Sequence, residues 1–180
     1  MITITIPANE AFDEATGEFI TTKATELQLE HSLISISKWE SKWHKPFLSG
    51  DSKTPDETMD YIRCMALNKN VDPMVYKFLT EQNIMEVNSY IEDSMTATWF
   101  AEDKSKSGKR EIITSELIYY WMIALNIPYE CEKWHLNRLL TLVKICNIKN
   151  QPEKKMSKRE IMSRNRALNE QRRQAMNTRG

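Results

Sequence analysis

The chain has 180 residues, 41% of them hydrophobic, with 5 Trp, 4 Gly and 6 Pro. That is enough for one packed domain plus an appendage, and it excludes both wholesale disorder and a turn-rich all-β fold. The formal net charge is zero, yet positions 150–180 carry nine Lys/Arg against three Glu, so a tail of +6 follows a body of −6.

Ile2-Thr3-Ile4-Thr5-Ile6 alternates strictly and is β-branched throughout, until Pro7 stops it. A second alternating run, Thr25 to Glu30, places Leu27 and Leu29 on one face, and Phe12 and Phe19 flank the turn signal Ala15-Thr16-Gly17. These features predict a small antiparallel β-unit over about residues 1–30. From Ser32 the period changes: Leu33, Ile36, Trp39 and Trp43 fall three and four apart, which predicts an amphipathic helix ended by Pro46. Thr54-Pro55-Asp56-Glu57 combines an N-cap, a proline at the first helical position and a capping box. A helix through Met59, Ile62 and Ala66 follows from it. Asp72-Pro73 opens a short helix with Val75, Phe78 and Leu79, and a further one carries Ile84, Val87 and Ile91.

Ala101–Arg110 is polar and charged and predicts a surface loop. Thr114 or Ser115 then caps Leu117–Leu125, which is apolar almost all round and predicts a central buried helix. The next helix, about Glu132–Asn147, packs Trp134, Leu139, Leu140, Val143 and Cys146 along one side and breaks at Gln151-Pro152. Ser157-Lys158-Arg159-Glu160 is a second capping box for a basic last helix, whose apolar stripe is thin: Ile161, Leu168 and Ala175, with Met162 and Met176 beside it. One narrow stripe cannot offset the cost of ordering that helix alone, so it is either a solvated arm or a helix that orders against a partner. The predicted fold is mainly α, a helical domain over 1–150 with its N-terminal β-unit, and a basic helical tail over 151–180.

No run of about 18 apolar residues predicts a membrane span. Met1 to Pro7 has neither the basic region nor the apolar stretch of a secretory signal. Cys64, Cys131 and Cys146, odd in number and far apart, make no disulfide framework, and with ten Met they predict a reducing cytoplasm. Cys131 and His135 are four apart, but zinc takes four ligands, or three and water; His31 and His44 lie far off in sequence. A core cysteine and a surface-edge histidine are the preferred reading. GxSxG, GxxxxGK[ST] and GxGxxG are absent, and Asp13/Glu14, Glu92/Asp93 and Glu102/Asp103 read as solvated surface pairs. The expectation is a binding protein with no catalytic, cofactor-binding or metal residues. The basic tail points to a negative partner, another copy of the body included. Nucleic acid ranks lower, because the tail has no aromatic residue on which bases stack.

Trp39, Trp43, Trp121 and Trp134 fall on apolar helical faces and read as core. For Trp99-Phe100, beside the polar loop, core packing is preferred to an exposed anchor for a partner.

Several strings carry a family resemblance: Ser35–Leu48 (SISKWESKWHKPFL), Met95–Phe100 (MTATWF), Glu116–Met122 (ELIYYWM), Trp134–Asn147 (WHLNRLLTLVKICN) and Lys154–Arg173 (KKMSKREIMSRNRALNEQRR). Together with the ITITIP start they resemble the tail assembly chaperones of tailed bacteriophages, over essentially the whole chain. The resemblance implies a protein of the host cytoplasm made during tail morphogenesis, which binds the tape measure protein and helps recruit tail tube protein. It also implies a longer form made by ribosomal frameshifting, with this chain as the shorter product. A structural component of the virion (tail, neck or core) is the alternative, and a nucleic-acid-binding protein is the next. The family's strings carry no assigned chemical roles, so candidate partner-binding residues come from the residues themselves. They are Trp99 and Phe100 beside the loop, and Arg164, Leu168, Arg172 and Arg173 in the tail. Oligomerisation with further copies of the chain belongs to the same expectation.

Overall fold

Alternation along the first strand decides how the N-terminal segment is used. In the computed structural model, which describes residues 1–13, 18–100, 112–150 and 158–176, β1 (Ile2–Ile6) pairs antiparallel with β4 (Thr25–Leu29) in the register Ile2↔Leu29, Ile4↔Leu27, Ile6↔Thr25. Ile4, Ile6, Leu27 and Leu29 are buried on one face, while Thr3 and Thr5 point to solvent. Nested inside this ladder, β2 (Asn9–Asp13) pairs with β3 (Glu18–Thr22). The two ladders form a long hairpin interrupted at Pro7-Ala8, where proline supplies no N–H to continue the pairing. The expected β-unit is therefore present, as two nested two-stranded ladders; its turn at Ala15-Thr16-Gly17 lies outside the described residues.

Local capping chemistry starts each of the next helices. Ser32 caps α1 (Leu33–Trp43) in a reciprocal capping box with Ser35. The helix ends at His44, whose left-handed backbone (φ 53°) lets its N–H reach the Glu40 carbonyl at 2.8 Å. Termination thus occurs two residues before Pro46. Thr54 and Glu57 cap α2 (Pro55–Met65) as expected, with Pro55 in its first turn. Pro73–Phe78 winds as a 3-10 helix, and α3 (Glu81–Glu92) begins at the Thr80–Asn83 capping box. The same Asn83 donates to the Thr5 carbonyl at 3.3 Å, fixing α3 beside β1. After α2 the chain returns along β4, with Leu67 N–H on the Gln28 carbonyl at 2.9 Å and Glu30 N–H on the Met65 carbonyl at 3.0 Å.

Two helical expectations need correction. α4 (Ser115–Ala124) is capped by Thr114, but it is not buried all round. Ile118 and Met122 enter the core, whereas Tyr120 and Ile123 on the opposite side are 63% and 60% exposed. Apolar composition without a polar face does not specify which side is covered. The following helix, α5 (Leu136–Asn150), starts four residues later than about Glu132. Tyr129–Lys133 instead forms a 3-10 turn, and Trp134 and His135 lie between the two elements, so Cys131 and His135 share no helix face. The last helix, α6 (Lys158–Met176), occupies the predicted basic segment; the Gln151-Pro152 break and the Ser157 cap lie outside the described residues. The chain divides into two units, Met1–Asn147 and Ile148–Gly180. Among the described residues no helix is long and apolar enough to cross a membrane.

Within the first unit a single buried cluster joins Ile4, Leu29, Leu33, Trp39, Met65, Val87, Ile118 and Leu139. Trp39 is fully buried and donates its indole N–H to the Glu57 carbonyl at 2.9 Å, while Trp43, Trp121 and Trp134 are half-buried against the core. Glu40, 7% exposed, accepts the backbone N–H of Phe47 through one oxygen and that of Ser115 through the other, both at 2.7 Å. Glu40→Ala orphans two buried donors and is expected to lower unfolding free energy by about 2–4 kcal/mol, with Glu40→Gln, which keeps one acceptor, losing about half as much. Urea denaturation of the three proteins measures this.

Candidate functional site

Helix α6 combines a continuous charge pattern with a solvated apolar stripe. Ile161, Leu168 and Ala175 recur every seven residues along one side, and Arg164 and Arg172, four residues to either side of Leu168, border that stripe. Leu168 is 41% and Met162 72% exposed, and Arg164, Arg172 and Arg173 are exposed too. Arg159, Arg166 and Arg173, again seven apart, form a second row about 10.5 Å per step. Four of the six candidate partner residues thus lie on this one helix, and three of them, Arg164, Leu168 and Arg172, share one stripe.

The other two candidates belong to the unit Met1–Asn147. Trp99 is 84% exposed, against the preference for core packing. Its position between α3 and α4, with no helix to carry it, leaves the indole outside the core. Phe100 is half-buried, and the Lys144 ammonium lies 4.0 Å from its ring centroid. The polar segment Ala101–Arg110 lies outside the described residues.

Sequence reasoning missed a second exposed apolar face. Tyr120, Ile123 and Ala124 line the outer side of α4, with Glu116 one turn before Tyr120. Beside them Tyr119 stacks on Tyr129 (centroids 6.3 Å apart), and the Tyr119 hydroxyl donates to Glu132 at 2.9 Å. That hydrogen bond and burial push the Tyr119 phenol above its ordinary range, burial being the larger cause. Backbone and Thr114 hydrogen bonds hold the Glu116 carboxyl below its ordinary range, so it is anionic at neutral pH. Glu130 is exposed at the same edge. The composition of Leu117–Leu125 was the available signal, but it did not say which side would remain wet.

The histidines form the third feature, and here too an expectation fails. His135 is not at a surface edge: it is 6% exposed and packs edge-on against His31, which is 2% exposed, with centroids 5.0 Å apart. A backbone join pulls it inward, through the Ser32↔His135 bridge and the Leu136 N–H on the His31 carbonyl at 2.7 Å. His135 Nε2 lies 3.0 Å from the Tyr90 carbonyl, which only accepts, so Nε2 carries the proton. Nδ1 of His135 is buried and without a hydrogen-bond partner. His31 Nδ1 meets the Tyr61 hydroxyl, and Tyr90 donates to Glu30 at 2.7 Å, the carboxylate that also holds the Met1 ammonium at 2.7 Å. Two imidazoles alone do not make a metal centre, and among the described residues no group of three or more His, Cys, Asp or Glu is placed to hold one.

No family model, curated protein or solved structure matches this chain.

Burial, and then the neighbouring His135, lower the His31 pKa from 6.5 to about 3. As pH falls through 6.5 the unfolded chain takes a proton that the folded chain refuses, so this histidine makes stability fall with acid. The expected slope between about pH 6.5 and 5, above the carboxylate range, is up to about 1.4 kcal/mol per pH unit. Urea denaturation across that window should show the slope in the unaltered chain and a flatter line in His31→Phe.

Proposed function

We propose that this chain is a client-binding assembly protein of the phage tail assembly chaperone kind, acting in the host cytoplasm by reversible binding rather than by catalysis. The observation that carries the reading is α6, a helix of 19 residues whose apolar stripe is exposed and bordered by arginines. A helix of this design gains order and buries its stripe when a second surface lies along it. The client that fits is itself long and helical, with acidic side chains flanking an apolar seam, and the tape measure protein is the candidate that the family resemblance supplies. Trp99 adds an exposed aromatic anchor of the type that dominates interface energetics. Phe100, already packed under Lys144, contributes less.

Co-expression with the cognate tape measure protein is the test. The client is expected to co-purify in soluble form, and Leu168→Asp combined with Arg172→Glu should reduce its recovery at least about tenfold. Failure of the unaltered chain to hold the client removes the reading. Stoichiometric presence of the chain in purified virions replaces it with a structural role.

A further inference from the structure

The outer face of α4 and the stripe of α6 are complementary to each other. On α4, Tyr120 and Ile123 expose a continuous apolar strip, which Tyr129 (58% exposed) extends sideways. Acidic groups edge that strip: Glu116 at its start, with Glu130 and Glu132 beside Tyr129. On α6, Ile161 and Leu168 stand about 10.5 Å apart, within the roughly 12 Å from the acidic edge at Glu116 to Ala124, of which Tyr120 to Ala124, about 6 Å, is apolar. Arginines flank the one strip where glutamates flank the other. The charge division follows the same line: Ile148–Gly180 holds ten Lys/Arg and three Glu, or +7, and Met1–Asn147 holds fifteen and twenty-two, or −7.

We infer that α6 of one copy docks on the outer face of α4 in a second copy. Each chain carries a basic arm and an acid-edged apolar seat among its described residues, so a two-fold pair covers both strips in both copies. Apolar burial supplies the adhesion, and the opposite charges of the units set the orientation and the approach. The pair requires no client, and it stands whether or not the client is a tape measure protein; a client would exchange with the second copy for α6.

Two full-length variants at exposed positions, Ile123→Cys and Leu168→Cys, test the contact. Mixed under mild oxidation, they are expected to give a bridged dimer of about 42 kDa, twice the 21.2 kDa chain, at least about tenfold above the yield from either variant alone. Absence of the mixed bridge overturns the inference. So does a double variant that closes its bridge within one chain and stays monomeric, since the arm would then seat on its own body. In sedimentation of the unaltered chain without any client, the dimer constant should weaken at least about tenfold between about 0.1 and 0.6 M NaCl. Glu116→Arg should weaken it comparably, with part of the loss restored by Arg164→Glu in the same chain. A monomer at low salt, or a dimer indifferent to salt and to Glu116→Arg, overturns the inference as well.

Discussion

A single carboxylate, Glu40, ties three separate stretches of backbone together. It sits in the last half of α1, receives the chain as it leaves that helix at Phe47, and receives it again at the start of α4, 75 residues beyond Glu40 itself. Both donors would otherwise be orphans, one in an irregular segment and one in the first turn of a helix, where four N–H groups lack intrahelical partners. Because the acceptor is ionic and buried, each bond is stronger than a neutral one, and the cost of leaving either donor unmet is correspondingly large. This side chain pins the start of α4 to α1, and Ile118 and Met122, packed in the core, set which side of α4 faces inward.

A second long-range join, between the end of β4 and the start of α5, has a different character. There the backbone of His31 and Ser32 meets that of His135 and Leu136, and the two imidazoles come along with it. Packed edge to face and shielded from water, the pair disfavours a proton on His31, first by burial and then through the neighbouring His135. The Tyr61 hydroxyl meets His31 Nδ1 and the Tyr90 backbone carbonyl meets His135 Nε2, while His135 Nδ1 remains unmet. The cluster is a buried polar part of the core.

The elements that a sequence reader can find are those whose cause is local. Thr54 and Thr114 announce helix starts because a cap and its target are three residues apart. Ile4 and Leu27 announce a half-buried sheet because their alternation is a property of each strand alone. Glu40 and the His31–His135 pair are invisible at that level, since their partners lie 75 and 104 residues away. Trp134 misleads for a related reason: a 3-10 turn ahead of a helix repeats apolar residues at nearly the spacing of a helix. Of the candidate partner residues, those on α6 could be read as exposed from composition, whereas the exposure of Trp99 and of the α4 strip depends on what the rest of the chain covers.

The nested hairpin at the N-terminus also bears on the order of events during synthesis. Its inner ladder closes a short loop, and the outer one then zips up with little further entropy to lose, so the segment can pair as soon as about thirty residues have emerged. Its apolar face is another matter. The backbone seat for the end of β4 is supplied by Leu136, 105 residues downstream of His31. At about 5–20 residues per second, a ribosome needs some 5–20 s to deliver it. Before the packing elements emerge, Ile4, Ile6, Leu27 and Leu29 form a wet apolar ladder with open strand edges; Leu67 closes on Gln28 of β4 and Asn83 on Thr5 of β1 well before Leu136 arrives. A protein proposed to shelter another chain's exposed seam thus passes through a stage in which its own first strands need shelter.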